Sequence, residues 1–153
     1  MEENIKHIDE KDYKIIEILK DHADFTTRQI AKKTLLPITT VHNRIKKLRS
    51  LGVIKKYTVE LDNYVIGKNF MAYILISVDI KLLKEKRKTQ YDLINDLKKF
   101  YFIERADVVT GGTDIVAIMR VRDVEEFDKC LLTKLQLIEG IEKTQSLIVI
   151  HSK

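Results

Sequence analysis

The 153-residue sequence is short of the residues that define several common protein classes. Cys130 is its one cysteine, which excludes an internal disulfide and a cysteine cluster for zinc. Between residues 43 and 150 there is no histidine, and His7, His22, His42 and His151 have no metal-ligand spacing. A Gly-x-Gly-x-x-Gly phosphate loop is missing, and no nucleophile is paired with a base. An enzyme is therefore not expected, nor a cofactor or a metal. The longest apolar run, residues 70–78 with one serine, is far short of the roughly 20 residues that cross a bilayer. Residues 1–6 are charged and lack the apolar core of a signal peptide, so a soluble cytoplasmic protein is expected.

The most telling absence is of acid. Residues 25–59 contain no Asp or Glu, yet they carry nine basic residues: Arg28, Lys32, Lys33, Arg44, Lys46, Lys47, Arg49, Lys55 and Lys56. The whole chain is 33% charged with a net charge of only +5, so the segregation says more than the total. A contiguous field of one sign attracts a polyanion, and double-stranded DNA is the partner expected.

What is present reads as two domains, 1–62 and 63–153, and 44% hydrophobic content suffices for their cores. Asp9 is placed to cap a first helix that runs through Tyr13, Ile16 and Leu19 toward His22. Thr26 and Gln29 form a capping-box signature for a second helix over 27–34 that buries Ile30 and Ala31. Pro37, the only proline, sets up a third helix with Ile38, Val41, Ile45 and Leu48 at helical spacing, and Gly52 ends it. Residues 53–61 have the composition of a wing and exit strand. The remainder reads as strand 70–80, helix 89–100, strand 103–109, strand 115–121, a helix opened by Asp123 and Glu126, and strand 141–150. That helix carries Val124, Phe127, Leu131 and Leu135 on one side. The charged run 81–88 reads as a solvated connection or a first helical turn. The fold class is α+β: a winged helix-turn-helix domain followed by a ferredoxin-like βαββαβ domain.

At about 100° per residue, Thr39, Thr40, Asn43 and Lys47 gather opposite the apolar stripe of the third helix, with Arg44 and Lys46 beside them and His42 and Arg49 nearer the core edge. Asparagine pairs bidentately with adenine and arginine with guanine, so Asn43 and Arg44 are the candidates to read bases. Thr39 and Thr40 offer hydroxyls to base edges or phosphates. Lys46, Lys47, Lys55 and Lys56 are expected on phosphates, and Arg28 joins this DNA-binding set.

The second half contains strands that are apolar on both faces. Phe70, Ala72, Ile74, Ile76 and Val78 oppose Met71, Tyr73 and Leu75. Two helices cover one face of such a sheet, and a second copy is expected to cover the other. A homodimer then sets two recognition helices about one DNA turn apart, or a multiple of it. Between two strands, Gly111 and Gly112 allow backbone N–H groups to approach a carboxylate, while Asp114 offers a partner for an ammonium group. Together with Thr113 these residues form a candidate site for an amino-acid effector. The same four residues also suit a plain hairpin turn, and the sequence leaves both readings open.

These residues resemble the Lrp/AsnC family of leucine-responsive and asparagine-operon type regulators. Asp9-x-x-Asp12 before Ile15-Ile16, Ile30-Ala31, Thr40-Val41-x-x-Arg44-Ile45-x-x-Leu48 and Gly52-Val53-Ile54-x-x-Tyr57 are similar to its N-terminal domain. Residues 109–114 resemble the glycine-aspartate loop of its sensing domain. The resemblance implies a transcriptional regulator that dimerises through its sheet, often assembles into octamers and responds to an amino acid, with Thr144 and Ser146 as further effector-binding residues. Pro37 and Ile38 stand where the family often has Ser then Pro, so the third helix is expected to lack a side-chain cap and to start near Thr39. Thr113 replaces a common aromatic residue. Two alternatives share parts of the pattern: a sirohaem-decarboxylase-like enzyme of the same architecture, and a non-specific chromatin-like DNA- or RNA-binding protein.

Overall fold

Asp9 opens the first helix, α1 (Glu10–Asp21), by accepting the backbone N–H groups of Lys11 and Asp12, while the Asp12 carboxylate returns a bond to the Asp9 N–H. The computed structural model describes residues 8–151, so residues 1–6 and His7 lie outside it. It divides the chain into two units, with the boundary between Glu60 and Leu61.

In the first unit, Thr26 and Gln29 close a reciprocal cap on α2 (Thr27–Thr34), which buries Ile30 and Ala31. The third helix, α3 (Ile38–Ser50), starts one residue before the expected Thr39, because Pro37 in extended backbone is already placed to precede the first turn. No side chain caps it. Gly52, at φ +71°, closes α3: its N–H reaches the Arg49 carbonyl and the Val53 N–H reaches Leu48. That bond pair is a Schellman ending, which requires a left-handed residue. The core of this unit is Ile15, Ile30, Ala31, Val41 and Leu48, with Ile45 packed against it. Ile38, expected in the stripe, is half exposed.

The expected strand over 53–61 is not formed: these residues carry no regular secondary structure, and Tyr57, Val59 and Leu61 are exposed. β propensity alone does not hold a strand without a neighbour to pair its backbone.

Leu35 adopts the left-handed conformation (φ 57°, ψ 28°) after α2 and is 90% exposed. An L-residue is strained there, and the solvated side chain repays little. Leu35→Gly is therefore expected to stabilise the protein by about 0.5 kcal/mol, the remainder after glycine's greater unfolded freedom is subtracted. A raised thermal midpoint checks this, and a lowered one contradicts it.

The second unit is a four-stranded antiparallel sheet in the order β2-β3-β1-β4. Its strands are β1 (Phe70–Val78), β2 (Ile103–Val108), β3 (Ile115–Val121) and β4 (Ile141–Ile148). The charged run beyond β1 begins with a short helix, α4 (Ile80–Glu85), capped by Asp79 and anchored by buried Leu83. Thr89 caps α5 (Gln90–Leu97) through a reciprocal bond with Asp92. Asp123 caps α6 (Val124–Cys130), but Glu126, whose spacing from Asp123 is that of a capping box, does not bond back: its carboxylate accepts from the Arg122 N–H and the Tyr101 hydroxyl.

A π-helical turn, Leu131–Leu135, follows α6; Phe127 and Leu135 are buried, while Val124, the first residue of α6, is exposed. Ala72, Ile74 and Ile76 of β1, with Ile115, Ala117 and Met119 of β3, meet Leu93, Leu97, Phe102 and Leu135 in one core. The other sheet face remains open. Tyr73 pairs with Ile118 and Leu147, and Leu75 with Val116 and Gln145, none of them buried. This gives an apolar centre edged by the Arg120–Glu104 and Arg105–Asp107 ion pairs.

Candidate nucleic-acid interface

The helix period decides what α3 presents. Val41 and Leu48 face the core, which turns Thr39, Asn43 and Lys46 to solvent and leaves Thr40 half-buried beside them. His42 and Arg49, expected at the core edge, are exposed. Arg28 at the start of α2, and Lys55 and Lys56 beyond α3, are exposed as well. Lys33 lies over the Phe25 ring, 5.2 Å from its centroid, and Phe25 in turn stacks on His22. The segment thus offers solvated hydroxyls, an amide and several solvated cations, which is the donor set for groove edges and phosphate oxygens.

Arg44 is placed differently from a solvated base reader. Its Nη1 lies 2.7 and 2.8 Å from the two Asp9 carboxylate oxygens and 2.8 Å from Asp12 Oδ1. Only 20% of its side chain is exposed. Lys47 Nζ donates to Asp12 Oδ2 at 2.8 Å. Asp12 itself is fully buried, and its carboxylate also accepts the Asp9 N–H at 3.2 Å.

Two carboxylates of the first turn of α1 therefore meet two cations spaced i, i+3 on α3. Burial pushes the Asp12 carboxyl up, but the hydrogen bonds from Lys47 and Arg44 outweigh it and hold the group below its ordinary value of 3.8. The Arg44 guanidinium lowers Asp9 in the same way, and Asp9 and Asp12 raise Arg44 further above its already high value.

Sequence reasoning found Asp9 as a cap and not as an ion-pair partner. The available signal was a pair of acids at the start of α1 beside an acid-free α3 bearing Arg44 and Lys47. These partners are 32 and 35 residues apart, and no local rule joins them.

In the second unit, Gly111 has φ +127° and Gly112 is exposed, in a turn between β2 and β3. Asp114 is engaged within the fold: Oδ2 accepts the Val78 N–H at 3.0 Å and Oδ1 accepts from Gln90 Nε2 at 3.2 Å. Thr113 donates its hydroxyl to the Ile76 carbonyl at 2.9 Å. Thr144 accepts from Gln136 Nε2 at 2.7 Å, and Ser146 lies opposite Ile74 on β4. The 111–114 turn and β4 border the same strand: the Thr113 hydroxyl and the Asp114 N–H donate to the Ile76 carbonyl, and Ile76 pairs with Thr144 across β1 and β4. No group of three or more His, Cys, Asp or Glu suited to a metal occurs among the described residues, and no described helix is long and apolar enough to cross a membrane.

Residues 8–55 match the winged helix-turn-helix DNA-binding family, and residues 75–153 match the Lrp/AsnC ligand binding domain. The HTH-type transcriptional regulator FL11 of Pyrococcus furiosus is 36% identical over 94% of this chain and 89% of its own length. The Pyrococcus horikoshii protein of that name is 35% identical over 95% and 91%. Among solved structures, a Neisseria meningitidis transcriptional regulator in complex with L-Met superposes with a TM-score of 0.86 at 22% identity, covering 94% of this chain and 90% of that one. E. coli AsnC superposes with a TM-score of 0.80 at 24% identity, over 95% and 93%.

Proposed function

The chain belongs to the Lrp/AsnC family of transcriptional regulators, and we propose that it binds duplex DNA as a homodimer, reading sequence through α3. The observation that carries this reading is the solvated face of α3, which bears no acid of its own, with Thr39, Asn43 and Lys46 exposed together. Thr39, Thr40 and Asn43 enter the major groove, with Asn43 the adenine reader. Arg28, Lys46, Lys55 and Lys56 hold phosphates, while Arg44 and Lys47 brace α3 against α1. The open sheet face is the pairing surface, since an apolar centre with a charged rim is the anatomy of a protein interface.

An amino-acid effector acts on the second unit. The N–H groups of Gly111 and Gly112 receive its carboxylate, Thr113 and Asp114 shape the turn, and Thr144 and Ser146 supply polar contacts on β4. Relatives carry the name of transcriptional regulators, which favours this reading over a decarboxylase of similar architecture. A chromatin-like binder would show little preference among sequences, whereas a regulator keeps one.

In-vitro selection of duplexes by the purified protein, repeated with each of the twenty amino acids, tests both parts. A symmetric motif is expected, with occupancy changed by at least one amino acid. Asn43→Ala is expected to relax one position in each half-site by about 1 to 3 kcal/mol of discrimination. An unaltered motif from that variant contradicts the role of Asn43.

A further inference from the structure

The Asp9–Asp12–Arg44–Lys47 cluster lies on the recognition surface itself. Asp9, Thr40, Asn43, Arg44 and Lys47 together line one shallow depression on α3, so the Asp9 carboxylate, 54% exposed, stands beside the side chains offered to DNA. We infer that Asp9 is a specificity-determining residue that keeps the Arg44 charge from DNA phosphates, so that α3 reads the groove mainly through uncharged side chains. The inference rests on the DNA-binding reading above and concerns the same surface.

Two features support it. Arg44 Nη1 contacts both Asp9 oxygens at 2.7 and 2.8 Å, closer than a transient surface contact requires. Asp12 is fully buried and bonds Lys47 as well as Arg44, so Lys47 keeps that carboxylate paired and Asp9 is the acid that decides whether the guanidinium turns outward. Phosphate affinity gained from a cation is the same on every DNA sequence. A cation neutralised inside the protein adds nothing to non-specific binding, and the neighbouring Asp9 charge repels a backbone that approaches without the fit that groove contacts supply. Asp9 thus lowers binding to all duplexes and raises the ratio of specific to non-specific affinity.

Asp9→Asn tests this cleanly, because asparagine caps a helix as well as aspartate does while removing the charge. Binding of the wild-type protein and the variant is measured on the selected duplex and on a random-sequence duplex from 50 to 200 mM salt. The expected result is tighter binding by the variant, by about five-fold per protomer at 0.15 M salt on the random duplex, and a salt slope steeper by about one per protomer, as one more phosphate is neutralised. The gain on the selected duplex is smaller, so the specificity ratio falls. Adding Arg44→Gln to Asp9→Asn is expected to return the slope to the wild-type value. Asp9→Ser, a second capping residue without charge, repeats the measurement should the asparagine variant fold poorly. Unchanged affinity and slope overturn the inference, as does weaker binding with a shallower slope, which would mean that Asp9 aims Arg44 at DNA. If the wild-type protein binds no duplex, it is the DNA-binding reading that fails.

Discussion

Asp12→Ala is expected to weaken the first unit by about 3 kcal/mol, the low end of the cost of removing one partner from a buried ion pair. Asp12 is fully buried and bonds both Arg44 and Lys47, so its removal takes a buried carboxylate from both cations and leaves Arg44 with the exposed Asp9. The cost stays at the low end because Lys47 and Arg44 retain some solvent exposure and can turn to water. Hydrogen exchange of the α1 and α3 amides reads the loss locally, as protection lower by roughly 100-fold, with β1 and β3 unaffected.

The acid limb follows from the same group. Asp12 titrates below 3.8 when folded and near that value when unfolded, so its contribution is fully present above 3.8 and lost as the pH falls through the folded value. Wild-type protection is therefore expected to fall as the pH drops below about 4, and the variant to lose the share that Asp12 supplies while keeping that of Asp9, whose carboxyl is also lowered. Equal protection in the two proteins at neutral pH would show that the brace contributes nothing net.

The features legible in the sequence were those set by neighbours within one turn. Thr26 with Gln29 bounded α2 as Thr27–Thr34, because a capping box is a three-residue device whose partners lie within one turn. The apolar run of 115–121, doubled on both faces, matches the observed bounds of β3, and the exposure of Thr39 and Asn43 follows from the 3.6-residue period once Val41 and Leu48 are buried. Residues 53–61 show the opposite case: their β-branched and aromatic content favours a strand, yet strand formation depends on a neighbour that no local pattern supplies.

The charges of α4 hide it in the sequence, since Lys81, Lys84 and Glu85 mask the few apolar contacts that fix it, and the π-helical turn shifts a periodicity that looks uninterrupted along the chain. At the candidate interface, the solvated face was legible and the brace was not. An ion pair between helices depends on how α1 crosses α3, and Arg44 has the same local sequence environment whether it faces a base or Asp9.

Leu75→Asp is expected to have the largest effect on assembly, turning the proposed dimer into a monomer. Leu75 lies at the centre of the open sheet face, on a central strand, opposite Val116 on one side and Gln145 on the other. No cation lies directly across from it to pair with a new carboxylate. The residue is only half-buried in the single chain, so an aspartate there keeps its water and the unit should still fold. Burying that face against a second copy would strip the water from two carboxylates at once, because a two-fold interface repeats every substitution, and several kilocalories per mole are lost for each.

Sedimentation or light scattering is expected to report the monomer, with sheet content unchanged by circular dichroism. Two half-sites gripped by one dimer gain from linkage, so affinity for a full symmetric site should fall by about 10² to 10⁴, whereas affinity for an isolated half-site stays at the wild-type value. Equal losses on both duplexes would point to a damaged first unit. A variant that remains dimeric would move the pairing surface away from the sheet, leaving the exposed apolar centre of Tyr73, Leu75, Val116, Ile118 and Leu147 in need of another occupant.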